Sequence, residues 1–228
     1  MDKKRVIITG ATGMVGKGVL LECLDNNHIG DVLVIGRTPI SIEHEKLKEV
    51  IQEDFSNYND IKDQLKGYDA CYFCLGISAA GLNEEQYSKI TLDFTMSLAE
   101  TLYDVNSKMT FVYVSGEGTD SSEQGRMMWA RVKGKVENDL LKVGFHQAFM
   151  FRPGVIIPLR GIKSKTKSYQ FIYDYFGWLL KGLRAIAPNS ICDTTQIGLA
   201  MINATLYGYS KLIIRPIDII GLAKTQSH

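Results

Sequence analysis

The chain has 228 residues, and its 26 Lys plus Arg against 25 Asp plus Glu leave a formal charge of +1, which excludes a generic binder of nucleic acid or anionic lipid. An apolar share of 45% with 22% charged residues excludes disorder and fibre. A chain this long buries about 70% or more of its unfolded surface in one core, so a single domain over residues 1–228 is expected.

Met1 to Arg5 leads into Val6, Ile7 and Ile8, a run far too short for a signal-peptide core or a membrane span. A cytoplasmic protein without integral membrane association is therefore expected. Apolar strand-length runs then alternate with helix-period segments, the mark of parallel strands joined by crossover helices. The expected strands are Arg5 to Thr9, Asp31 to Gly36, Leu47 to Glu53, Ala70 to Leu75, Met109 to Ser115 and Ala148 to Arg152. Helices are expected over Met14 to Asn26, Tyr58 to Lys66, Glu84 to Val105 and Gln124 to Val143. The fold class is thus α/β: a Rossmann-like, doubly wound parallel sheet, with residues from about 155 to 228 forming a small C-terminal cap on the substrate side. In that tail, Tyr169 to Ile186 and Thr194 to Tyr207 read as helices and Leu212 to Ile214 as a short strand.

The first strand runs into Thr9-Gly10-Ala11-Thr12-Gly13-Met14-Val15-Gly16, which opens a helix. Three glycines at spacing three fall where a dinucleotide fold needs them: Gly10 for the tight turn, Gly13 for backbone approach to a pyrophosphate, Gly16 for close helix–strand packing. Thr12, Met14 and Val15 complete the phosphate-binding stretch. The second strand ends in Gly36-Arg37-Thr38, where an NAD site usually carries a carboxylate for the ribose hydroxyls. Arg37 and Thr38 suit a 2′-phosphate instead, which favours NADP over NAD; the alternative is a solvated loop arginine. Asp54 is placed either to receive the adenine amino group or to cap the helix that follows. Leu75 and Gly76, ending the fourth strand, are expected along the adenosine ribose and pyrophosphate.

Cys71 and Cys74 form a C-x-x-C, but inside a buried strand residues three apart point to opposite faces, so they read as buried thiols. The four histidines are scattered with no i, i+4 pair, and no metal is expected.

Taken with Val112-Tyr113-Val114-Ser115, Lys133-Gly134-Lys135-Val136-Glu137, Arg131 and Arg152-Pro153-Gly154, the glycine turn resembles the atypical short-chain dehydrogenase/reductases over nearly the whole chain. That NAD(P)-binding Rossmann superfamily includes epimerase/dehydratase and NmrA-like groups. The nearest likeness is to small oxidoreductases of the HIV Tat-interactive protein type. The resemblance implies a serine at Ser115 that bonds the reacting carbonyl and a lysine at Lys133 that holds the nicotinamide ribose. It also implies backbone contacts from Pro153 to Val155 on the nicotinamide side. The family's proton-donating tyrosine belongs four residues before Lys133, where this chain has Trp129. An indole N–H donates a hydrogen bond but does not exchange a proton near neutrality.

Three functional readings follow. An oxidoreductase of a small substrate either uses another acid, with Glu117 and Tyr87 as candidates, or reduces a quinone, enone or flavin whose proton comes from solvent. Otherwise the chain is a catalytically silent NADPH-binding redox sensor or regulator. A nucleotide-sugar epimerase/dehydratase is the weaker enzyme reading, because it too relies on the missing tyrosine. The partner expected is a small molecule; the aromatic segment Tyr169 to Leu183, apolar around most of a helix, reads as a core helix or else as a self-association or membrane-facing surface. Arg160, Lys163, Lys165, Lys167, Lys181 and Arg184 make that region locally positive, which suits an anionic substrate or a membrane surface.

Overall fold

The computed structural model describes residues 2–162 and 189–225. Its main sheet has seven strands in the order β3-β2-β1-β4-β5-β6-β9, every neighbouring pair parallel. They are β1 (Lys4–Thr9), β2 (Ile29–Gly36), β3 (Leu47–Ile51), β4 (Ala70–Phe73), β5 (Thr110–Val114), β6 (Gln147–Phe151) and β9 (Ile213–Ile214). Two further strands, β7 (Val155–Ile157) and β8 (Ile191–Asp193), pair in a separate parallel ribbon. The helices are α1 (Met14–Asp25), α2 (Glu84–Ser88), α3 (Phe94–Val105), α4 (Met128–Val143), α5 (Thr194–Tyr207) and α6 (Pro216–Ala223), with a 3₁₀ helix over Asn59–Leu65.

Both faces of the sheet are covered, which is why its strands read as continuous apolar runs rather than as alternation. Val6 and Ile8 of β1 face one core with Val19, Leu20, Ile197 and Met201 of α1 and α5. Ile7, between them, faces the other core with Phe73, Phe111, Leu98 and Leu140. Each such side chain, taken from water, contributes about 1.5–3 kcal/mol. The doubly wound expectation is met, with the reversal of strand order lying between β1 and β4.

Several boundaries differ from the sequence expectation, and some of the differences have a local cause. β3 ends at Ile51 because the Gln52 amide donates to the Asp54 and Asn57 carbonyls and bends the chain away. β4 ends at Phe73, after which the Cys74 N–H still reaches the Thr9 carbonyl at 3.2 Å. The segment expected as a helix over Tyr58 to Lys66 closes as 3₁₀, with only Ile61 and Leu65 to bury. Helix α4 starts at Met128, not Gln124, because the Asp120 carboxylate accepts from the Ser122 and Gly125 N–H groups and curls residues 120–125 into a loop. The expected helix over Glu84 to Val105 is continuous in path but contains a π-helical turn over Lys89–Asp93.

In the tail, α5 packs along α1 and α6 along α5, while β9 extends the main sheet. The helix expected over Tyr169 to Ile186, the aromatic segment within it, and Lys163, Lys165, Lys167, Lys181 and Arg184 lie outside the described residues. No helix among the described residues is long and apolar enough to cross a membrane.

Candidate active site at the strand ends

In open parallel sheets ligands bind in the crevice where strand order reverses, beyond the carboxyl ends of the strands. Here that crevice is bordered by the exits of β1 at Gly10, β2 at Arg37, β4 at Cys74 and Leu75, β5 at Ser115 and β6 at Arg152 and Pro153. The turn after β1 is built for it. Gly10 holds φ +69°, and a Cβ there would sit 2.5 Å from the Cys74 carbonyl oxygen. A Cβ on Gly16 would strike the Gly10 carbonyl, so the turn closes on the helix only with glycine at both places. Gly13 caps α1 without a side-chain hydrogen bond, and the first turn of α1 carries no acid. That helix start therefore offers unpaired N–H groups and a positive dipole end to a phosphate.

Thr12 is exposed on the turn, while Met14 and Val15 are half-buried in the first turn of α1. Arg37 and Thr38 are exposed where β2 ends, and among the described residues no carboxylate pairs with Arg37. Asp54 is exposed too, and it does not cap the 3₁₀ helix, whose first residue follows Tyr58. One Asp54 oxygen accepts from the Ser56 N–H at 2.8 Å and hydroxyl at 2.6 Å, bonds that hold its carboxyl below the usual range. Leu75 and Gly76 leave β4 beside the glycine turn, Leu75 half-buried and Gly76 exposed. Pro153 is buried, and its carbonyl accepts from the Glu117 N–H at 2.9 Å, which joins the loops after β5 and β6. Val155 is 47% exposed.

At the reaction end, Trp129, Lys133 and Glu137 stand at spacing four along α4 and so share one face. Lys133 Nζ donates to the Ser115 carbonyl at 2.5 Å. Burial pushes its ammonium down to about 8, with the Glu137 carboxylate pulling the other way. The Ser115 hydroxyl does not face the crevice freely: it donates to Glu137 Oε1 at 2.5 Å and lies 3.1 Å from the Phe151 carbonyl. Trp129 is half-buried, its ring edge lying over Gly118 in the loop after β5. Among the alternative acids, Glu117 is exposed, whereas Tyr87 is only 2% exposed and burial raises its phenol.

Sequence reasoning left Arg152 as a residue closing a strand and gave Glu137 no role. The two form a buried ion pair: Arg152 Nε lies 3.0 and 3.2 Å from the two Glu137 oxygens, and its Nη2 bonds both Glu137 and the Ser121 hydroxyl. The available signal was an arginine directly after the apolar run Ala148 to Phe151, and a glutamate on the Trp129–Lys133 helix stripe. The basic surface expected around Arg160 changes for a related reason. Arg160 pairs with Glu22 at 3.1 Å and Asp25 at 2.8 Å, so its charge is neutralised against α1.

Parallel strands, a glycine turn and an uncapped helix at the reversal point define a dinucleotide-binding protein of the Rossmann class. A family model described as NAD(P)H-binding matches residues 10–140, and the chain belongs to that family. It is 31% identical over 159 residues to "Protein HTATIP2" of Rattus norvegicus, covering 69% of this chain and 64% of that protein. It is 30% identical over 155 residues to "Protein FMP52, mitochondrial" of Meyerozyma guilliermondii, covering 67% and 65%. The matched stretch therefore spans slightly less than two thirds of these relatives. Among solved structures, a UDP-N-acetylglucosamine 4-epimerase from Methanobrevibacter ruminantium superposes with TM-score 0.71 at 17% identity, over 94% of this chain and 76% of the other. A short chain dehydrogenase family protein from Francisella tularensis gives 0.62 at 16%, over 90% and 92%. At such identities these two likenesses carry the fold alone.

Proposed function

We propose that the protein is an NADPH-preferring oxidoreductase of the atypical short-chain type, acting on a small carbonyl, quinone or enone. The observation that carries this reading is the crevice itself. An uncapped α1 start beside the glycine cradle lies at one strand exit, and Lys133 Nζ reaches the end of β5 at another. The cradle fits a pyrophosphate because the Cβ positions of Gly10 and Gly16 are filled by backbone, while a Cβ on Gly13 would meet only the Gly10 carbonyl, at 3.2 Å. A bound nicotinamide supplies a hydride; the chain's part is to hold it and to manage the proton. In this reading residues 10–16 hold the diphosphate, Arg37 and Thr38 the 2′-phosphate, Asp54, Leu75 and Gly76 the adenosine side, and Lys133, Pro153 and Val155 the nicotinamide side. Of the described residues after about 155, β7 and β8 are those assigned to the substrate side, since α5 and β9 belong to the sheet and its core.

Calorimetry with NADPH and NADH on wild type and Arg37→Ala tests the cofactor assignment. Loss of a charged phosphate partner, worth about 1.5–3 kcal/mol, weakens NADPH roughly 10- to 100-fold and leaves NADH nearly unchanged. Equal losses for both cofactors remove the basis of the NADP preference. NADPH oxidation against a panel of aldehydes, quinones and enones tests turnover.

A second reading, a silent NADPH-binding sensor, is favoured by Trp129 and by the inward turn of the Ser115 hydroxyl. Tight cofactor binding with no turnover on that panel decides for it. The expected compartment is the cytosol; the fungal relatives carry "mitochondrial" in their names, and cell fractionation separates the two.

A further inference from the structure

Resting on the oxidoreductase reading, we propose that Lys133 Nζ, not a hydroxyl, is the proton donor to the oxygen of a carbonyl substrate. Three placements lead to this. Trp129, four residues earlier on the same face of α4, has no proton to exchange near neutrality. The Ser115 hydroxyl spends its proton on Glu137, a carboxylate already fixed by Arg152, so it is committed inward. Lys133 Nζ, by contrast, lies at the end of β5 and uses one of its three N–H donors on the Ser115 carbonyl, which leaves two for a ligand.

The balance is simple. As the carbonyl carbon takes a hydride from a reduced nicotinamide dinucleotide, a proton passes from Nζ to the carbonyl oxygen, giving an alcohol. Lys133 is left as the neutral amine and is reprotonated from solvent. Its surroundings permit that cycle. Among the described residues the charge acting on Lys133 is that of Glu137 on its own helix, which Arg152, directly after β6, binds; the titratable phenol of Tyr113 on β5 lies near Glu137, and that of Tyr87 on α2 lies near Tyr113. Burial lowers the ammonium to about 8, close to the working range of a general acid.

The test compares wild type with Lys133→Arg, which keeps the positive charge but holds its proton at any working pH. Reduction of 4-nitrobenzaldehyde and 9,10-phenanthrenequinone by NADPH is followed from pH 6 to pH 10, with NADPH affinity measured in parallel. A third measurement follows the ¹³Cε signal of Lys133 in the cofactor-free protein, assigned by its loss in the variant. The expected results are a wild-type reduction rate that is level below about pH 8 and falls above it, and a Lys133 signal titrating over the same range. Lys133→Arg then lowers the rate by roughly 10²- to 10⁴-fold, with NADPH affinity held within a few fold.

Turnover that Lys133→Arg retains, with an unchanged pH profile, overturns the proton-donor role alone. A Lys133 signal titrating only above pH 10 overturns it even if the variant folds poorly. NADPH binding without turnover of either carbonyl overturns the carbonyl-reductase reading and this role with it.

Discussion

Glu137 can keep its charge inside the protein because Arg152 meets it with two nitrogens and Ser115 and Ser121 complete the cluster. A buried pair of this kind adds little over an apolar pair, but removing one partner strands the other charge, at about 3–5 kcal/mol. Arg152→Met should therefore lose about that much in urea unfolding, and adding Glu137→Gln should restore part of the loss, so that the double variant is more stable than additivity predicts. Lys133 contributes a pH signature of its own. Below about pH 8 the group is charged in both states; between about 8 and its unfolded value near ~10.4 the unfolded chain binds more protons. Stability from this group thus rises with pH across that window, and Lys133→Met should flatten the rise in unfolding free energy measured at pH 7.5 and pH 9.5. Trp129→Tyr places a phenol next to Lys133. With cofactor affinity unchanged, the fall of carbonyl reduction should then move from about pH 8 to higher pH, as a pH–rate profile would report.

Among the elements, α1 and α5 show how a sequence of small residues sets an interhelical distance. A Cβ on Gly18 would come within 2.6 Å of Thr194 Cβ, so the two helices meet this closely only with glycine there. Gly18→Val should cost about 1–3 kcal/mol through overpacking, visible as a lower urea midpoint at unchanged slope. Helix α5 is apolar around much of its circumference because α1 and α6 flank it and the sheet lies beneath. Helix α4 is held on its other side by Arg131, which donates to the Gly125 carbonyl at 2.6 Å and pairs with Glu84 of α2 at the same distance. Gly134 lets the loop at Asp120 lie directly on α4, since a Cβ there would overlap the Asp120 carbonyl. These contacts set where Trp129 and Lys133 stand relative to the strand ends.

For the whole molecule, the crevice is bordered by strand exits that lie far apart in sequence, so a dinucleotide bound as proposed would tie β1, β2, β4 and β5 together. Ligand at about 100 times its dissociation constant adds about 2.7 kcal/mol, and for this length each kcal/mol raises Tm by about 2–4 °C. A thermal shift of roughly 5–10 °C with NADPH is expected under those conditions, and a smaller one with NADH at equal concentration.

The sequence by itself determined the strand and helix alternation, the two-faced burial of the sheet and the glycine turn, because each is written in spacings along a few adjacent residues. It also marked Trp129 and Lys133 as one helix face. Only the tertiary structure decided where Ser115 points, because its hydroxyl is claimed by Glu137 on α4, whose charge is in turn held by Arg152 at the end of β6. The same holds for Arg160, which reads as a free cation until α1 brings Glu22 and Asp25 beside it. The start of α4 was lost to one side chain, Asp120, whose carboxylate offers the backbone a loop in place of another helical turn. Strands β7 and β8, three residues each and more than 30 apart, carry too short a pattern to read, and their pairing exists only once the chain has folded.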